Sequence, residues 1–190
     1  MSVKVRKRRF TVEEYYKLAQ AGVLSEDDRV ELIEGEIIEM VPIGSRHAAC
    51  VKRLNHQLSQ KIEEAIIISV QDPIRLSEHS EPQPDLALLE PRPDYYADEH
   101  PGPEDVLLLV EVAESSQEYD RERKIPLYAQ AKIPETWLVD LKKEMVVTYH
   151  KPGKETYRKT RKYRAGERIT FDPQKESVKG IELAVEEILP

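Results

Sequence analysis

Two acids stand at the ends of stretches that otherwise avoid water. In VLLLVEVAESS the apolar run Val106 to Val110 leads straight into Glu111, and in QPDLALL Asp85 opens a second apolar run. An ionised carboxylate buried without a partner is costly enough that it takes up a proton, pairs with a cation or binds a metal. If the two runs are neighbouring strands, their carboxylates come within several ångströms of each other. At ~4 Å two like charges repel by about 4 kcal/mol at an effective dielectric near 20. Such a pair shares a proton or holds a cation. A hard divalent ion such as Mg²⁺ takes oxygen ligands, commonly one or two carboxylates with waters and substrate phosphates. That donor set suits phosphodiester hydrolysis.

Downstream, Asp120, Lys124 and Tyr128 fall at i, i+4 and i+8, one stripe of a helix. A lysine on that stripe can point back over the strand ends and stabilise charge on a phosphate or position a water. Plainer roles exist for each residue. Asp85 can be a strand-start residue satisfied by backbone donors, and Glu111 can pair with Arg121 or Arg123. Lys124 can pair with Asp120 for roughly 0.2–0.5 kcal/mol. Glu31 can face water on a hairpin, and His47 can be a helix-start or core histidine. Tyr128 and Trp137 read as core packing with a polar handle.

The elements that must position these groups are legible in outline. TVEEYYKLAQ opens with a Thr-x-x-Glu capping box and predicts a helix over Thr11 to Gln20, with Gly22 as a stop. RVELIEGEIIEMV alternates on both sides of Glu34-Gly35 and predicts a hairpin. Ser45 to Ala65 has helical spacing, with Ser45 as a cap. AIIISV begins a strand expected to run past Asp72-Pro73 to Leu76. PDLALLE and DVLLLVEVA are two more strands, separated by a Pro-, Asp- and Gly-rich surface loop. YDRERKIPLYAQA is helical, with a kink or a start required near Pro126. ETWLVDL and EMVVTYHK are strands joined at Lys142-Lys143. ETYRKTRKYRAGERIT alternates basic residues with Tyr or Thr and predicts an exposed, one-sided strand. The apolar tail GIELAVEEIL docks on the body. This order gives an α+β (mixed α/β) chain whose central sheet is flanked by helices. A single domain over 1–190 is expected, with a basic extension at about 1–10 and a β-rich part at about 135–190.

With 190 residues, 39% apolar and 34% charged, the chain is long enough for a sizeable core and is not of disordered composition. One cysteine, Cys50, excludes an intrachain disulfide and suits a reducing, cytoplasmic setting. No apolar run is long enough to span a bilayer, so no membrane is expected. The net charge of −7 argues against a general nucleic-acid coat protein, yet KVRKRR and KPGKETYRKTRKYRAGER are strongly basic. Lys159, Arg161, Lys162 and Arg164 are therefore candidate contacts to a phosphate backbone. No GxSxG, Walker or GxGxxG pattern is present, and a small-molecule cofactor is not expected.

Taken in order, RVELIEGEIIEM, His47 at the head of a long helix, QPDLALL, LLLVEVAESS, Asp120, Lys124, Tyr128 and ETWLVD resemble the Uma-type family of restriction endonucleases. That family is part of the PD-(D/E)XK nuclease superfamily. The resemblance implies a restriction-endonuclease-like core and a metal-dependent DNA endonuclease using Mg²⁺ or Mn²⁺. Asp85 and Glu111 would be metal ligands, Lys124 the catalytic lysine and Glu31 an additional acid, with His47 among the site residues. It departs from the superfamily pattern at Ala113, where Glu-x-Lys would place a lysine, and at Lys132, where the family tends to have Gly. Restriction-type enzymes often act as dimers, so a homodimer is a further expectation. The alternative is a nuclease-fold protein that no longer cuts and serves as a nucleic-acid-binding or interaction module.

Overall fold

The computed structural model describes residues 7–25, 27–62, 66–173 and 180–190. The basic start at residues 1–6 and the predicted end of the second helix at 63–65 lie outside the described residues. Helix α1 (Val12–Gln20) begins at Thr11, whose hydroxyl accepts the Glu14 N–H at 3.1 Å while Glu14 accepts the Thr11 N–H at 3.2 Å. This is the expected capping box. Strands β1 (Val30–Ile33) and β2 (Glu36–Glu39) form the expected antiparallel hairpin. Its two turn residues, Glu34 and Gly35, have φ of +50° and +79°, the left-handed pair that lets a two-residue turn match strand twist. Helix α2 (Ser45–Lys61) is capped by Gly44, one residue before the expected Ser45, and Gly44 lends no side-chain bond.

Six strands make the central sheet: β3 (Ile67–Ser69), β4 (Leu86–Leu89), β5 (Val106–Ala113), β6 (Glu135–Asp140), β7 (Met145–Pro152) and β8 (Tyr157–Arg164), in that spatial order. All neighbours are antiparallel except β5 and β6. A parallel pair needs a crossover, and here it comprises α3 (Gln117–Tyr119), a wide π-turn over Asp120–Lys124 and α4 (Ile125–Gln130). β5 is buried along all of its length. One of its faces, with Leu108, Val110 and Val112, packs under α2 and the tail helix α5 (Val185–Ile188). The other, with Leu109 and Ala113, packs under α4 through Ile125, Tyr128 and Ala129. The predicted central sheet between helices is what forms.

Two expectations need correction. β3 ends at Ser69 and does not reach Leu76; Gln71 takes φ +59° there, which breaks the extended run before Asp72-Pro73. The basic segment is not one-sided. β8 is the sheet's edge, exposed on both faces from Arg158 to Lys162, and Gly166 (φ +88°) turns the chain into β9 (Arg168–Phe171), which pairs with β10 (Ile181–Ala184) in a separate ribbon. The helix after β5 is interrupted and restarts near Pro126, as expected: the Ile125 N–H reaches Asp120 O, five residues back. Pro126 gives the reason, since its ring needs clearance from the carbonyl four residues earlier and it has no N–H to donate. No helix among the described residues is long and apolar enough to cross a membrane.

Gly35 fixes where the hairpin meets the chain before α1. A Cβ there would lie 2.5 Å from Arg9 Cβ and 3.0 Å from the Phe10 carbonyl oxygen. Gly35→Ala should therefore cost upwards of about 1 kcal/mol in urea unfolding, since it combines left-handed strain with a backbone clash. An unchanged midpoint would mean that Arg9 and Phe10 move aside freely.

Candidate active site

The antiparallel pairing of β4 with β5 sets Leu86 opposite Val110, so Asp85 and Glu111 emerge side by side at one end of the sheet. Asp85 Oδ2 accepts the Val112 N–H at 2.8 Å and lies 3.0 Å from His47 Nε2, while Oδ1 accepts from Gln71 Nε2 at 3.1 Å. His47 reaches across because it lies in the first turn of α2, on the sheet's other face. The crossover brings Lys124 and Tyr128 over Glu111. Lys124 Nζ is 3.2 Å from Glu111 Oε1 and 3.0 Å from Glu31 Oε2, and the Tyr128 hydroxyl donates to Glu111 Oε1. Glu31, on β1, also accepts the Gln83 N–H at 3.1 Å. Glu31, Glu111, Asp120 and Lys124 are all at least 95% buried.

Lys124 does not pair with Asp120, which accepts from Ser116 Oγ at 2.6 Å instead. Arg121 and Arg123 turn away from Glu111, toward Asp140 and toward Glu34 and Glu36. One ammonium therefore serves two buried carboxylates, and the electrostatics follow from that ratio. Burial lifts the Glu111 carboxyl most, Lys124 pulls it down less, and nearby Asp120, Asp85 and Glu31 push it up, so it settles at about 8. Burial works against the charge on Lys124, but the surrounding acids outweigh it and keep the ammonium charged. Burial and the charges of Glu111 and Glu31 hold the Tyr128 phenol protonated as a donor. For His47, burial is outweighed by the hydrogen bond and charge of Asp85, and its pKa ends above the ordinary value.

All five expected site residues, Glu31, His47, Asp85, Glu111 and Lys124, line one cleft of about 280 Å³. The four basic candidates on β8 do not. Strand pairing puts Lys162 beside Val147 and Arg164 beside Met145, on the face covered by α4, whereas Lys159 and Arg161 share the opposite face with Tyr163. Two participants escaped the sequence: Gln71 and the Tyr128–Glu111 bond. Tyr128 was legible only as packing, because its partner is set by the crossover. Gln71 follows a strand that ends earlier than its apolar pattern suggests, and the Asp72-Pro73 pair was the available sign of that end.

The chain belongs to the Uma2 family, described as "putative restriction endonuclease", which matches residues 12–186. Its fold is similar to the crystal structure of a putative nuclease belonging to DUF820 from Anabaena variabilis. The two share 17% identity at a TM-score of 0.64, over 94% of this chain and 97% of that one. None of the curated proteins compared with the chain matches it.

The elevated Glu111 carboxyl has a signed consequence. Between about pH 4.5 and 8 the folded protein keeps this proton while the unfolded chain loses it, so this group's contribution to stability falls as pH rises. Glu111→Gln removes that slope. Relative to wild type, it should gain on the order of 3 kcal/mol between pH 5 and pH 8. Parallel melting curves across that range would show that Glu111 is ionised throughout.

Proposed function

We propose that the protein is a metal-dependent DNA endonuclease of the PD-(D/E)XK type, hydrolysing phosphodiester bonds at the Asp85–Glu111–Lys124 cluster. The observation that carries this reading is the Lys124 ammonium, held charged against Glu111 in the cleft that also contains Asp85. A Mg²⁺ or Mn²⁺ ion would be held by Asp85 and Glu111. These offer hard oxygen donors in an open cleft, and among the described residues no three His, Cys, Asp or Glu side chains enclose a cation unaided. That fits an ion that keeps waters and takes substrate phosphate oxygens. When bound, it would neutralise phosphate charge and acidify a water.

The protein's own groups divide the remaining work. Lys124 can donate to a non-bridging phosphate oxygen or hold the attacking water, and its charge opposes the negative charge that grows in the transition state. Glu31 positions Lys124 from the hairpin. Tyr128 fixes one oxygen of Glu111, and His47 with Gln71 fixes the Asp85 carboxylate. Lys162 and Arg164, on the α4 face of β8, would hold the flanking backbone, with Lys159 and Arg161 meeting it from the other face. Two copies acting together would cut both strands.

One observation favours the alternative, a nucleic-acid-binding or interaction module without cleavage. Asp85 already accepts from Val112, Gln71 and His47, and an acid so satisfied gains less from a cation. Metal titration separates the two. At 100 times its dissociation constant, Mn²⁺ should stabilise wild type by roughly 2.7 kcal/mol and Asp85→Ala not at all. Asp85→Ala and Glu111→Ala should abolish cleavage while remaining folded, and Lys124→Ala should slow it far more than it weakens metal binding. Cleavage retained in either acid variant removes the site.

For β8, replacing Lys159, Arg161, Lys162 and Arg164 with Gln should flatten the salt dependence of DNA binding. Each lost phosphate contact reduces the log–log slope by roughly 0.7–0.9. An unaltered slope returns the strand to a charged, solvent-facing edge.

A further inference from the structure

The cleft has two unlike walls. The acid and lysine cluster lines one part of it, and the end of β2 with the connection to α2, through Ile38, Met40, Val41, Pro42 and Ile43, lines another. Val41 is 60% exposed and Ile43 39% exposed, in a chain that shows few large apolar side chains to water. An exposed apolar patch beside a polar site marks an interaction surface more often than an isolated exposed residue does. The wall is also held at both ends. The Met40 N–H donates to Arg29 O at 2.8 Å, and Gly44 starts α2 by accepting the Ala48 N–H at 3.0 Å.

We propose that this wall seats the face of an unpaired nucleobase next to the phosphate being cut, so that the substrate enters as a single strand or a locally opened duplex. This rests on the nuclease reading above. A nucleotide joins a charged phosphodiester to an apolar, flat base, and the cleft joins a charged part to an apolar one. In a paired duplex the base faces are stacked and inaccessible; only an unpaired or extruded base presents one. Charge points the same way. Among the described residues, Arg29 and Lys124 are the only lysine or arginine residues lining the cleft, against acids that include Glu31, Glu39, Asp85, Glu111 and Asp120. Such a lining cannot neutralise two phosphate backbones, and it tolerates one strand where Lys124 meets it. Apolar side chains of this type serve elsewhere as wedges against base steps.

The test measures binding of the full chain in Ca²⁺ by fluorescence anisotropy, using one oligonucleotide as single strand and as duplex, each checked to be intact afterwards. Wild type should bind the single strand more tightly. The double variant Val41→Ser/Ile43→Ser, both positions at the surface, should keep the wild-type melting temperature. It should bind the single strand about tenfold more weakly, in keeping with the loss of apolar contact to one base face, and leave duplex binding unchanged. Equal wild-type affinity for both forms, or an equal loss on both, overturns the seat while leaving the nuclease reading intact. Failure of both forms to bind overturns the two together.

Discussion

The shared ammonium of Lys124 is the interaction on which the rest of the site depends. It joins a carboxylate of the N-terminal hairpin, Glu31, to a carboxylate of the central strand, Glu111, at 3.0 and 3.2 Å. The lysine itself belongs to the crossover. Three parts of the chain distant in sequence are thus tied at one buried point. Removing the lysine would leave buried Glu31 without its cation, a loss of about 3–5 kcal/mol, whereas losing Glu111 leaves the ammonium paired with Glu31. The arrangement is therefore poised rather than relaxed: two acids compete for one cation, and the deficit is met by the proton on Glu111 and the Tyr128 hydroxyl.

The sheet supplies the geometry that makes this possible. Antiparallel β4 and β5 place Asp85 and Glu111 at the same end, one at the start of its strand and the other near the close. The lone parallel pair, β5 with β6, obliges the chain to return by a helix over that end. Ligand sites in sheets with such crossovers tend to form outside the strand ends for the same reason. Helix α2 closes the opposite side, so His47 can touch Asp85 from the face that does not carry Lys124.

Much of this was legible in the residues, unevenly. Thr11 and Glu14, the Glu34-Gly35 turn and the uninterrupted Val106 to Val110 run are local signals, and each produced the element its chemistry demands. The acids were conspicuous because they break apolar runs. What the residues could not reveal was pairing across space. Lys124 and Asp120 stand at a spacing that suits a helical ion pair, yet the lysine finds deeper acids from two other elements. Arg158 to Arg164 alternates in type, which suggests one wet face. An edge strand that extends past its flanking helices is wet on both, and that depends on neighbours, not on its own residues.

The π-turn over Asp120–Lys124 is the place where this crossover tolerates a change of chain length. A wide turn holds one residue more than an α-turn would over the same rise. Losing that residue would close the turn and leave what lies beyond it in place. Lys124 and Tyr128, four residues apart, would still share a face toward Glu111. A single deletion between Asp120 and Lys124 would thus regularise the backbone without dispersing the site, at the cost of the clash that Pro126 then makes with the carbonyl four residues earlier.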